Sequence, residues 1–482
     1  MSNFKSLLRH GGNYLIASFA TSALSFISIP VYTRLLEPEE YGILSIFMGV
    51  VSLLASIMSF SADRSVSRYF FDQIDTEDFS RFVGTTSILT VVFFVINSLI
   101  LLFFAPEFGK FVGLDIHTVY LIIPLTALNI IGLLFEQIYG PLKKSREIAI
   151  FSILRVFLSF TFSVIIIYQL NDKRFYGQIW GQIIAGFIVS LFWIRAIIRF
   201  FKLSFDFKYI KYIFLYSVPL IPYALSGVII EQFGKIAIGT SYNHSQAGFY
   251  NLAITISSIV GIIISVTHQA WNPYYFEYMN SKNYKQLDDD FIKIFKFTIF
   301  VAFGVSCFGQ ELGNFLATKE FSQALYLIPI FTVGYIFYQL AFAYLRNFGF
   351  TKKTHFMTIT IFLSGISNMI FNFFLIKPFG VLGAAISFVL SYMLMAIIGM
   401  LLNLYVVKLH SPPLKKLILP IIFILPFYVL LYFLLENHQI IFVFIFKVVL
   451  FVISAILLFW SDKEIIILTV KQFQILNPKS EK

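Results

Sequence analysis

The chain has 482 residues, of which 58% are hydrophobic, 13% charged and 60 are Phe; its mean hydropathy is +0.83. A soluble domain carries about 25% charged residues, so this balance excludes an ordinary soluble domain and indicates an all-α polytopic membrane protein. The formal net charge of +11 would suggest nucleic acid in a soluble chain, but in a membrane protein it reflects basic cytoplasmic loops, and no nucleic-acid partner is expected.

Met1–His10 carries Lys5, Arg9 and His10 ahead of an apolar run from Tyr14 to Tyr32. That run is longer than the apolar core of a cleaved signal peptide and is read as a retained first span. Runs of this length, enough for a helix to cross a hydrocarbon core of ~30 Å, recur along the chain. They predict about fourteen spans, near 12–33, 42–60, 83–104, 119–140, 148–168, 177–198, 212–234, 247–270, 292–309, 323–345, 356–376, 379–404, 417–435 and 438–459. The break near Lys377 rests on "LIKPFGVLG", where Pro378 and Gly380 suit a very short turn. Cys307, the only cysteine, lies in an apolar run, so neither a disulfide framework nor a cysteine metal site is expected.

With the N-terminus inside, 27 of the 36 Lys and Arg fall on inward segments and seven on outward loops, with Arg155 and Lys447 within spans. That asymmetry is the positive-inside pattern and puts both termini in the cytoplasm. The longest loops, near 61–82 and 271–291, are about twenty residues each, too short to fold as a catalytic domain.

Sliding the sequence by 206 residues places Gly42 on Gly248, Ser59 on Ser265, Tyr69 on Tyr275 and Phe70 on Phe276. "LKKSREI" (142–148) matches "TKKTHFM" (351–357) at a shift of 209. Spans 1–6 and 7–12 therefore read as two parallel six-helix repeats, forming an N-terminal lobe (1–205) and a C-terminal lobe (206–408) around a central cavity. Residues 409–482 add two helices and a tail.

The stretch "IPVYTRLLEPEEYG" (29–42) joins spans 1 and 2 on the outer side. Pro30 and Pro38 lack backbone donors, Gly42 permits a tight turn into span 2, and Glu39 and Glu40 suit the helix N-terminus. Arg34 is placed to cap the carbonyls that end span 1 or to pair with Glu37, so the stretch reads as an outer hinge. This motif, Pro30, Arg34, Leu36, Pro38, Glu40, Tyr41 and Gly42, resembles the opening motif of the polysaccharide flippases, the Wzx-type members of the multidrug/oligosaccharidyl-lipid/polysaccharide exporter superfamily. "SVPLIPYALSG" (217–227) and "GKIAIG" (234–239) resemble the seventh span of that family and the segment after it. One departure is that Gly234 stands where the family often has an Asp before the basic residue, here Lys235; Glu231, one turn earlier, is a candidate replacement.

Ionisable groups inside spans face a cavity or a partner. Glu136 and Arg155 flank the hairpin near Lys144 and are expected at one level, as an ion pair or as cavity lining. Glu231 and Lys235 have the favourable order for a helical pair. Arg64 and Arg68 share a helical face at the inner end of span 2, and the repeat puts His268, Trp271 and Tyr274 at the matching level of span 8. Those cations would attract a pyrophosphate, and the aromatics, Tyr275 with them, would stack on sugar rings; helix-end cations are also what orientation alone requires. Lys447, near the middle of span 14, needs an acid partner or a wet groove; the related lipid II flippases use the two extra spans as a groove for the lipid tail. Pro219 and Pro222 kink span 7, and Gly227 and Gly234 loosen it.

The resemblance implies a non-enzymatic flippase without cofactor or metal, moving polyprenyl-pyrophosphate-linked oligosaccharide repeat units across a bacterial inner membrane for O-antigen, capsule or related polysaccharide. The polymerase and chain-length machinery of the pathway are its implied partners, and Glu136, Glu231 and His268 are candidate coupling groups. A multidrug/cation antiporter of the same superfamily is the alternative. A membrane enzyme and an envelope scaffold are disfavoured by the short loops and by the duplicated halves.

Overall fold

The computed structural model describes residues 20–435 and 440–459. Within them the regular structure is helical, as buried backbone in lipid requires, because an α-helix satisfies its own N–H and C=O groups. In chain order these are α1 (20–35), α2 (Pro38–Met58), α3 (Arg64–Tyr69), α4 (Thr76–Phe103), α5 (Ala105–Val112), α6 (Ile116–Tyr139), α7 (Ser145–Gln169) and α8 (Phe175–Ile198). There follow α9 (Phe207–Ser217), α10 (Leu220–Ser241), α11 (His244–Ser281), α12 (Tyr284–Leu316), α13 (Ile328–Phe350), α14 (Thr354–Leu402), α15 (Leu414–Leu435) and α16 (Ile440–Phe459). Among the described residues ten helices are long and apolar enough to cross a membrane, or eleven if α9 and α10 count as one bent span.

About fourteen spans were expected, and the difference has local causes. The start of the first expected span lies outside the described residues, where α1 is seen only from residue 20. Spans 11 and 12 run together as α14, broken at Gly380 with φ 57° and ψ −134° beside Pro378, a backbone region that glycine tolerates best. The seventh span is α9 plus α10, bent by 42° where Pro219 and Pro222 remove two donors from the helix ladder. The described apolar part of α16, Val443–Phe459, is shorter than the other spans.

The described chain forms two compact units. The first takes in the residues up to Leu252 with Asn314–Gln323 and His355–Ser391; the second comprises Ala253–Gly313, Ala324–Thr354 and the residues from Tyr392 on. In the first unit, Tyr69 stacks on Phe82 at 3.8 Å between ring centroids. Around them pack Phe79, Phe135, Ile138, Trp193 and Tyr209. The foot of α9 is tied to this core: Tyr69 and Tyr209 each donate to Asp78 at 2.8 Å, and Tyr212 donates to Asp72 at 2.7 Å. In the second unit Phe291, Phe295, Phe303, Phe331 and Phe348 are fully buried.

Within the first unit the start of α2 crosses the start of α11 at backbone contact. A Cβ on Gly42 would lie 1.7 Å from the His244 carbonyl oxygen, and one on Gly248 would lie 2.5 Å from the Pro38 carbonyl oxygen. The displacement of 206 that carries Gly42 to Gly248 also carries Pro38 to His244. The crossing is therefore reciprocal, each glycine meeting the carbonyl four residues before the other.

Candidate functional site

The turn between α1 and α2 is built as a pair of caps. Arg34 Nη1 donates to the Pro30 carbonyl at 2.7 Å, a carbonyl near the C-terminus of α1, where a cation also meets the negative end of the helix dipole. Pro38 opens α2, and Glu40 accepts from the Glu37 backbone N–H at 3.4 Å. Of the two roles expected for Arg34, the structure shows the carbonyl cap. Arg34→Ala should therefore cost about 0.3–1 kcal/mol, the range for an exposed helix-end cation. Thermal unfolding in detergent checks this; a loss of several kcal/mol would mean that Arg34 holds more than this cap.

At the other end of α2, Arg68 is engaged locally, at 3.2 Å from Asp72 one turn on, while Arg64 is half-buried beside the buried Asp63. Burial pushes the Asp63 carboxyl above its usual range, with Arg64 pulling the other way. Glu136 lies within electrostatic reach of Arg155 and Asp63, but among the described residues no ion pair within 4 Å joins Glu136 to Arg155. Arg155 Nη2 instead donates to Asn129 Oδ1, and the guanidinium lies 5.4 Å from the centre of the Trp193 ring. The reason is register. Counting back and forth from the turn after Tyr139, Arg155 comes level with Asn129, and Glu136 is about two turns nearer the hairpin.

The expected Glu231–Lys235 pair is also not formed within 4 Å. Lys235 is buried and donates to Gln232 at 2.8 Å, whose side chain lies against Gly49 of α2; Glu231 is exposed. Lys447 does have an acid partner. It is 1% exposed, 2.8 Å from Glu311 Oε1 and 3.3 Å from Gln310 Oε1.

The second unit holds the densest polar cluster of the expected site residues, and its centre is one that sequence reasoning missed. Arg346 of α13 donates through Nη2 to His268 Nδ1 and, at 3.3 Å, to the His268 carbonyl. His268 Nε2 meets Gln339 Oε1 at 2.7 Å, so the imidazole accepts on Nδ1 and carries its proton on Nε2. The Arg346 guanidinium sits 4.6 Å from the centre of the Trp271 ring, a cation–π distance. Next to it Tyr275 donates to Asn347, which bonds Asn403 and the His410 carbonyl, each at 2.8 Å.

No carboxylate lies within 4 Å of Arg346 among the described residues. Arg346 Nη1, Trp271 Nε1 and Gln339 Nε2 are buried N–H donors with no hydrogen-bond partner among the described residues; each unmade buried hydrogen bond costs ~1–3 kcal/mol. Trp271 also lines a cavity of about 420 Å³ with Thr267, Tyr274, Tyr278, Asp290 and Lys293, in which Tyr274 is half exposed. Arg64 and Arg68 thus belong to one unit and His268, Trp271 and Tyr274 to the other.

The described residues thus form long apolar helices, several of them bent or broken, with Arg155 and Arg346 held inside helices by neutral partners. The fold is that of the lipid II flippase MurJ in an inward closed conformation, with a TM-score of 0.70 over 94% of this chain and 99% of that one at 16% identity. It is also that of an inward-facing multidrug resistance MATE family transporter of the MOP superfamily, with a TM-score of 0.63 over 82% and 98% at 15% identity. The chain belongs to the polysaccharide biosynthesis protein family, which matches residues 7–279, more than half its length. A similar relative is the probable low-salt glycan biosynthesis flippase Agl15 of Haloferax volcanii, 20% identical over 80% of this chain and 81% of that protein.

Proposed function

We propose that this protein is a flippase that carries a polyprenyl-pyrophosphate-linked oligosaccharide repeat unit from the cytoplasmic to the outer leaflet of the cytoplasmic membrane by alternating access of its two six-helix halves, both termini being cytoplasmic. The surface polysaccharide it serves would be an O-antigen, a capsule or a related polymer, and the polymerase and chain-length machinery would act on its product. The observation that carries this reading is that Arg155 of the first unit and Arg346 of the second lie inside helices against neutral partners, with no carboxylate within 4 Å among the described residues. Arg155 lies against Trp193 and Arg346 against Trp271. Neutral partners do not cancel these charges, and Glu136 reaches Arg155 only through space; a charge held so in a membrane protein is costly and is retained for function, and it would attract an anionic substrate and repel a cationic drug. Membership of the polysaccharide biosynthesis family and the glycan flippase among the relatives support the same substrate class. Arg64 and Arg68 would draw the headgroup to the cytoplasmic mouth, and Glu136, Glu231 and His268 are the candidates for ion coupling. Lys447 and the last two helices would border a groove for the lipid tail.

The test uses a strain lacking the protein. Polyprenyl-linked lipids are identified by mass spectrometry, and spheroplasts are treated with an impermeant periodate reagent that oxidises only outward glycans. Complementation should expose the glycan, and Arg155→Ala should lower that exposure by about tenfold, as loss of a charge-assisted contact does. Arg64→Ala/Arg68→Ala should slow it less, since Arg68 is already paired with Asp72. If no lipid-linked glycan accumulates in the deletion strain, the flippase reading is wrong and the antiporter takes its place.

A further inference from the structure

We infer that the first unit carries a binding site for an anionic phospholipid, formed where the end of α10 meets the break of α14. The site does not depend on the flippase reading, because the bilayer itself supplies the ligand. Its basis is a cavity of about 870 Å³, within the size range of small-molecule sites. One wall is apolar and is made by Phe233 and Ile236 of α10 with Met369 and Phe373 of α14. Phe373 is 79% exposed on a helix long and apolar enough to cross a membrane, so in a bilayer this wall opens to hydrocarbon.

The rim of the same cavity is polar. Thr240 and Ser241 end α10, and Lys377 stands beside Pro378 just before the break at Gly380. The two helices therefore pass from apolar to polar in the same direction along the cavity. The rim is also held together: the Tyr242 hydroxyl lies 3.0 Å from the Ile376 carbonyl oxygen and 3.1 Å from that of Lys377, which ties the end of α10 to the turn before the break. No acidic residue lines the cavity, and Lys377 has no carboxylate within 4 Å among the described residues. A ligand that fits such a site joins an apolar chain to one anionic group at its end. In a bilayer that form is an anionic phospholipid, with a chain on the Phe233 and Phe373 wall and its phosphate at the Lys377 ammonium, which a long side chain at a span end carries to the interface.

The test is native mass spectrometry of the full-length protein in detergent, titrated with phosphatidylglycerol or with phosphatidylcholine of the same chains. The first phosphatidylglycerol should be held more tightly than the first phosphatidylcholine. Lys377→Gln should weaken phosphatidylglycerol by about fivefold and leave phosphatidylcholine unchanged. Lys377 is exposed, so the variant folds as the wild type. Phe373→Ala, on the exposed wall, should weaken both lipids. Lys143→Gln is the control: Lys143 is exposed just past the far end of α6, whose near end follows Gly113, the neighbour of Thr240, and it should change neither. Equal retention of the two lipids by the wild type overturns the assignment, as does wild-type retention of phosphatidylglycerol by Lys377→Gln. A polyprenyl phosphate that displaces phosphatidylglycerol at lower concentration, and does so only when Lys377 is present, also overturns it, because the site would then belong to the lipid carrier of a glycan and not to a phospholipid.

Discussion

Gly42→Ala is expected to cost at least about 3 kcal/mol of stability, the upper end of what overpacking does to a well-packed site. The new methyl would sit 1.7 Å from the His244 carbonyl oxygen and 2.5 Å from its carbonyl carbon. Both are backbone atoms of a helix start, so no rotamer change relieves the clash. The helices must separate, and the contacts beside the crossing loosen with them, including Gly239 against Ile46 on α10 and α2. Gly248→Ala meets the Pro38 carbonyl at 2.5 Å and the Gly42 nitrogen at 3.1 Å and should be damaging to a lesser degree. Gly227→Ala, where a Cβ meets nothing within 4 Å, is the control and should be near neutral. Thermal unfolding of the purified variants ranks the three; equal stability of Gly42→Ala and Gly227→Ala would contradict the crossing.

Lys447→Ala should be of similar severity for a different reason. The lysine is 1% exposed and its ammonium lies 2.8 Å from Glu311 Oε1, while Glu311 Oε2 is buried with no partner. The Glu311 side chain is 38% exposed, so the charge left behind is only partly buried and the loss is expected at the lower end, about 3 kcal/mol, of what breaking a buried pair costs. Removing both charges with shape kept should be nearly neutral, so Lys447→Met/Glu311→Gln is expected to recover most of what Lys447→Ala loses. Melting temperatures of the two single variants and the double variant form the cycle. A double variant as unstable as Lys447→Ala would mean that the pair does not hold α16 to α12. Flippase activity in the stable double variant also tests whether the charge at Lys447 serves the lipid tail.

Much of the helical order was legible because a span in lipid needs an apolar run of about 20 residues, and composition shows such runs directly. The caps of the turn between α1 and α2 were legible too. Proline and glycine have few roles at a helix end, and Arg34 has its cap within reach on its own helix. Two of the errors share one cause: hydropathy closes the ninth and tenth spans just short of a polar or charged residue. The tenth was ended at 345 although α13 runs to Phe350, and the ninth at 309 although α12 runs to Leu316. Arg346 and Glu311, each just past such an end, were counted with loops, and so the centre of one cluster and the partner of Lys447 were both missed. The signal that could have found Arg346 was its helical spacing, seven residues after Gln339 on one face. The Glu136–Arg155 and Glu231–Lys235 pairs failed differently. Spacing along one helix or across one hairpin gives proximity, but Asn129 and Gln232, neutral and nearer, took the hydrogen bonds.

The crossing at Gly42 and Gly248 is reciprocal: each glycine meets the carbonyl four residues before the other. A contact of that form is the isologous kind that two identical subunits make across a dyad. Each glycine faces main chain, which no substitution opposite it can trim, so both positions must stay without a side chain while the side chains around them have room to change.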